Sequence, residues 1–190
     1  MSKSIWKVTG FFPYIIVVFL NAFTDLGHKI IIQNTVFKIY DGQTQIILTA
    51  IVNGLILLPF ILLFSPSGFL SDKYSKNRVM RLAAWAAVLI TLGITWAYYS
   101  GAFELAFFLT FILAIQSALY SPAKYGYIKE LVGSNYLSLG NGIVQAVTTV
   151  AILGGIFVYS IFFENYLENF SYSDTSEVLR EFHLWDGPWC

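Results

Sequence analysis

The chain has 190 residues, 57% of them hydrophobic and 12% charged, about half the ~25% charged fraction of an ordinary soluble domain. Eleven basic and eleven acidic residues cancel, and no nucleic-acid partner is expected. The single cysteine, Cys190, is the last residue, which excludes a disulfide within the chain.

Five apolar runs, at about 11–37, 44–70, 79–99, 103–120 and 137–163, are each long enough to cross a hydrocarbon layer of about 30 Å. The first exceeds a signal peptide in length, holds polar residues and lacks a small-residue cleavage site. The predicted fold is an all-α polytopic membrane protein: an N-terminal bundle over 1–163, then an acidic tail over 164–190 in which no sixth span arrives.

The first run has Pro13 in its opening turn, where a proline costs little. Further in, Asn21, Asp25, Lys29 and Gln33 recur every four residues and form one slowly drifting polar stripe on a helix, with His28 beside it. An acid and a base one turn apart can neutralise each other. Ionisable groups inside a membrane are costly enough that a role in lining a pathway is the default expectation.

The second run offers only Asn53, and its prolines, Pro59 and Pro66, should bend it because each removes a backbone hydrogen bond. After it comes a dense charge cluster: Gly68, Leu70, Ser71, Asp72, Lys73, Lys76 and Arg78. Packed between two membrane-length segments, these residues read as a short turn at the membrane surface. In its core the third run has nothing more polar than Thr91 and Thr95, besides Trp85 and Trp96, and is expected to face lipid. Gln116 and Ser117 lie in the fourth run; Asn141, Gln145, Thr148 and Thr149 lie in the fifth. Spans one and five, with part of four, are therefore expected to face a polar cavity. Uncharged amides can equally serve as interhelical glue. Gly154 and Gly155 allow either a close helix contact, a local kink or a loosened lipid-facing segment.

Zero net charge conceals segregation. Lys3, Lys7, Lys73, Lys76, Arg78, Arg81, Lys124 and Lys129 lie in the N-terminus and after spans two and four. Asp41, Glu104, Glu164, Glu168, Asp174, Glu177, Glu181 and Asp186 lie on the other side. Basic residues in short loops set orientation, so a cytoplasmic N-terminus and an extracytoplasmic tail are expected. There is no nucleophile elbow, acyltransferase signature or phosphate loop. His28 and His183 have no metal-binding companions. Neither an enzyme in this chain, nor a cofactor, nor a metal is expected.

The charged turn resembles the signature loop between the second and third helices of the major facilitator superfamily. Gly68, Leu70, Ser71, Asp72, Lys73 and Lys76 match it; Ser75 stands for the second glycine and Asn77 for the second base, with Arg78 one place later. The run Tyr120, Ser121, Pro122, Ala123, Lys124, Tyr125, Gly126, followed by Glu130, Leu131, Asn141 and Gly142, is similar to the lysophospholipid transporter branch. Phe19, Leu20, Asn21, Ala22, Phe23 and Asp25 are similar to it as well, although Leu26 stands where that branch usually has asparagine. Together these motifs cover roughly residues 15–155.

The resemblance implies a twelve-helix fold whose two halves rock around a midplane site. In it, Gly68, Asp72, Lys73, Lys76 and Arg78 form a cytoplasmic gate. It also implies inward movement of lysophospholipids such as lysophosphatidylethanolamine across a bacterial inner membrane, for reacylation by an acyltransferase and acyl-ACP synthetase sometimes fused to the same chain. Ser121, Pro122, Lys124, Tyr125 and Gly126 would lie near the headgroup, and Asn21, Asp25, Lys29, Gln33, Gln116, Asn141 and Gln145 along the pathway. With five of twelve helices, the chain is expected to be a fragment lacking its C-terminal half. Two alternatives are a major facilitator moving a small polar solute with proton coupling, and the membrane module of a fused acyltransferase.

Overall fold

The computed structural model describes residues 5–100 and 102–169. The acidic tail beyond 169 and Cys190 lie outside the described residues. The chain folds into α1 (Phe11–Ile39), α2 (Gly42–Leu62), α3 (Phe64–Lys73), α4 (Lys76–Tyr99), α5 (Phe103–Val132) and α6 (Leu137–Asn169), with no strand among the described residues. Five of these helices, all but α3, are long and apolar enough to cross a bilayer. A helix satisfies its backbone hydrogen bonds internally, which is what a lipid environment demands of a segment so poor in polar side chains.

The second apolar run is two helices. Pro66 has no N–H, and its ring crowds the carbonyl four residues earlier, that of Leu62. The break falls right there, at Leu63, whose own N–H still reaches the Pro59 carbonyl at 2.9 Å. Pro59 itself lies inside an uninterrupted α2. In α5 the apolar run fades at Tyr120, yet the helix continues to Val132. The segment Ser121–Gly126 is therefore helical, although Pro122 denies a donor to the Ala118 carbonyl. Gly133, with φ +71°, ends the helix in a left-handed conformation that costs glycine little.

α1 packs along α6, and α4 along α5, while α2 and α3 lean on α5. Gly155 makes the first of these contacts close: a side chain there would collide with the backbone of Phe23. Gly27 repeats the pattern in reverse, since a Cβ would meet the Tyr159 ring at 2.5 Å. Small residues at helix crossings are how bundles gain dispersion contact when lipid offers no hydrophobic drive.

The interior is layered. One apolar cluster includes Phe11, Tyr14, Val18, Met80, Tyr120, Ile128 and Val144, at the end where the N-terminus and the α3–α4 turn lie. A second, toward the opposite end, includes Ile32, Val36, Val52, Ile94, Ala106 and Leu113. Between them, α1 from 19 to 31 and α5 from 115 to 119 contribute no residue to either cluster, and there the polar groups gather. α4 turns Leu82, Trp85, Leu89, Leu92 and Trp96 outward, as a lipid-facing helix would.

Candidate functional site

Asp25 is the central residue of α1, about 21 Å from either end at 1.5 Å per residue. It lines a cavity of about 120 Å³ together with Asn21, Ser117, Ser121, Lys124 and Thr148. α1, α5 and α6 supply these polar walls, and Phe60 of α2 closes part of the rim. Ser117, Lys29 and Lys124 are the side chains that act electrostatically on the Asp25 carboxylate. Asp25 makes no ion pair within 4 Å among the described residues.

Lys124 is 9% exposed. Its ammonium lies 4.6 Å from the centroid of the Tyr125 ring, a cation–π contact that lowers the cost of holding a charge there. Its backbone is fixed from the other side: the Tyr14 hydroxyl donates to the Lys124 carbonyl at 2.9 Å in a buried bond from α1 to α5. Gln116 braces the same layer. Its Nε2 donates to Asn21 Oδ1 at 3.2 Å and to the Ala83 carbonyl at 3.0 Å. Its Oε1 accepts from the Ser117 hydroxyl at 3.3 Å. Gln116 thus joins α1, α4 and α5.

The stripe on α1 divides. Four residues turn a helix by about 400°, so each step drifts ~40° and Gln33 stands ~120° round from Asn21. Asn21 and Asp25 enter the cavity; Lys29 and Gln33, farther along, are not among its lining residues. Asn34, next to Gln33, donates to Ser160 Oγ at 3.2 Å across the α1–α6 contact. On α6, Thr148 lines the cavity, whereas Asn141 and Gln145 are exposed and not among its lining residues. Gln145 accepts from the Tyr125 hydroxyl at 3.1 Å. Of the Ser121–Gly126 segment, Ser121 and Lys124 reach the cavity.

The charged turn sits at the end of α3 and the start of α4. Lys76 Nζ bonds Glu130 Oε1 on α5 at 2.7 Å, and the aliphatic stem of Lys76 lies against Gly126, where a Cβ would come within 2.6 Å of Cε. Lys73 Nζ stands 5.6 Å from the Phe69 ring centroid and 5.7 Å from that of Tyr74. Asp72 is within electrostatic reach of Lys76. Asp72, Lys73 and Arg78 are exposed. Among the described residues, no three His, Cys, Asp or Glu side chains gather as a metal site requires.

Bilayer-length helices enclosing a polar layer at mid-depth make this a polytopic helical membrane protein. No family model matches the chain, and no solved structure matches it. Curated proteins do. The chain is 32% identical over 164 residues to the lysophospholipid transporter LplT of Salmonella heidelberg (strain SL476). It is 33% identical over 160 residues to that of Escherichia coli (strain SE11), and 32% over 159 residues to that of Citrobacter koseri. Each match covers 81% of this chain and 36% of the relative. Over these residues the chain is similar to the lysophospholipid transporters, and it spans a little over a third of their length.

Proposed function

We propose that this chain is part of a carrier that moves lysophospholipids, such as lysophosphatidylethanolamine, across a bacterial inner membrane by alternating access, delivering them for reacylation. One observation carries the proposal: Asp25 and Lys124 line the same mid-depth cavity with the hydroxyls of Ser117, Ser121 and Thr148 between them. A phosphoethanolamine headgroup bears an ammonium and a phosphate. Asp25 answers the first, and Lys124 answers the second as a point charge.

In this proposal the basic end of the bundle, with Lys73, Lys76, Arg78, Arg81 and Lys129, is cytoplasmic. Of the expected gate residues, the exposed Asp72 and Lys73 meet the remainder of a longer carrier, and a downstream acyltransferase and acyl-ACP synthetase consumes the product. The relatives' name and the cavity's paired charges support it. Uptake of labelled lysophosphatidylethanolamine into vesicles holding the full-length protein tests it. Asp25→Asn keeps the shape and removes the charge, and uptake is expected to fall at least tenfold; unchanged uptake removes Asp25 from the mechanism.

A further inference from the structure

A second recess lies apart from the Asp25 cavity, on the outer side of the α4–α5 pair. Its volume is about 460 Å³, and Leu70, Val79, Leu82, Ala86, Ile90 and Ile112 are among its apolar walls. Tyr74 and Arg78 stand at one end, the end at which α4 begins. From Arg78 to Ile90 the helix rises about 18 Å, slightly more than the ~15 Å hydrocarbon depth of one leaflet. The apolar length of the recess is therefore that of one leaflet, and its cation sits where headgroups lie. Arg78 is exposed and has no ion-pair partner among the described residues. Its guanidinium can take a phosphate diester in two parallel hydrogen bonds, and the Tyr74 hydroxyl supplies another donor.

The geometry points to a binding site for an anionic glycerophospholipid of the surrounding leaflet, with one acyl chain in the α3–α4–α5 groove and its phosphate on Arg78. The lipid would lie along the outer face, at a place distinct from the headgroup cavity. Gln116 separates the two, since its side chain forms part of the groove wall while its amide bonds Asn21 on the cavity side. The site does not require that the chain transport anything. A basic residue beside an apolar interhelical groove is the combination that selects anionic lipid over zwitterionic lipid.

The test is native mass spectrometry of the full chain after purification, titrated with phosphatidylglycerol or phosphatidylcholine in detergent. Phosphatidylglycerol is expected to bind as one retained copy and more tightly than phosphatidylcholine. Arg78→Gln is expected to weaken phosphatidylglycerol about fivefold, as the loss of one interfacial cation implies, and to erase the preference between the two lipids. Arg78→Lys should restore part of it. Ala86→Phe, which fills the groove from α4, should lower retention of both lipids, with unchanged helicity by circular dichroism confirming the fold. Lys124→Gln should leave retention unchanged. Equal binding of the two lipids by the parent chain, or undiminished phosphatidylglycerol in both Arg78→Gln and Ala86→Phe, would overturn the site. Loss with Lys124→Gln alone would overturn it too, by moving the lipid to the headgroup cavity.

Discussion

Lys76 Nζ and Glu130 Oε1, 2.7 Å apart, tie the start of α4 to the last turns of α5, with the lysine stem laid across Gly126. The two residues come from separate motifs, one in the charged turn and one after the Ser-Pro-Ala-Lys segment. The side chains are 24% and 50% exposed, so the pair is worth only ~0.2–1 kcal/mol in stability. Its effect is on register: the turn cannot slide along α5 without breaking it.

Removing that pair should be visible in geometry before it is visible in stability. Glu130→Gln is expected to shift the melting free energy by less than about 1 kcal/mol, whereas Lys76→Glu, which sets two acids together, should cost more. Exchanging the two residues should recover most of the loss. Thermal unfolding in detergent, followed by circular dichroism, checks all three; equal melting of Lys76→Glu and the parent would show that the contact has no energetic weight.

The α1–α6 crossing should be intolerant of any added volume at Gly155. Alanine there meets the Phe23 backbone, which cannot rotate away as a side chain can, and overpacking of this kind costs ~1–3 kcal/mol. Gly54 is the control, because a Cβ at that position meets nothing within 4 Å. Gly54→Ala in the middle of α2 should be neutral or stabilising by ~0.4–1 kcal/mol. Denaturant titrations of both variants in micelles give the comparison.

Gln116→Leu removes the donor to Asn21 and to Ala83 while keeping the volume nearly constant. Interhelical hydrogen bonds in membranes average about 0.6 kcal/mol each, with a maximum near 1.7, so a loss of about 1 kcal/mol is expected. The same variant frees Asn21 into the cavity and should change the KM for a lysophospholipid more than its kcat. A stability loss with an unaltered KM would make Gln116 a brace and nothing more.

Tyr14→Phe deletes the buried bond to the Lys124 carbonyl. Its stability cost should be ~0.5–1.5 kcal/mol. If Lys124 meets a phosphate, the variant should also weaken uptake, because the bond holds the segment that carries the cation. Lysophosphatidylethanolamine, sugars and an uncoupler, compared as inhibitors of that uptake, separate a lipid carrier from a proton-coupled carrier of small solutes.

The number of bilayer-length helices was legible in the sequence because a membrane span needs only length and low polarity, and both can be counted. The cavity was legible in part. Asp25 stood out as a charge inside an apolar run, and Ser117 and Thr148 fell on spans already expected to face it. What could not be read was how far the α1 stripe stays on one face. Its four-residue spacing looks regular in sequence but drifts ~40° and climbs ~6 Å per step, and Lys29 and Gln33, farther along, are not among the lining residues. Phe60 was invisible for a different reason: it reaches the cavity through the packing of α2, and no local pattern encodes that.

The continuation of α5 beyond Tyr120 was also hidden. Hydropathy falls at Ser121, Lys124 and Lys129, whereas the helix is held by Ala123, Ile128 and Val132, all in the apolar cluster that Tyr14 joins. Tertiary contact, not composition, carries those last turns.

The break at Leu63 separates two kinds of mutation. Inserting one residue within α2 would rotate everything after it by ~100° in an unbroken helix. Here Gly68, Asp72 and Lys73 travel on α3, which takes its orientation from α5. The aim of the charge cluster is therefore held by the packing of α3 on α5 as well as by the register of α2, to which the Leu63 and Ser67 hydrogen bonds still tie it.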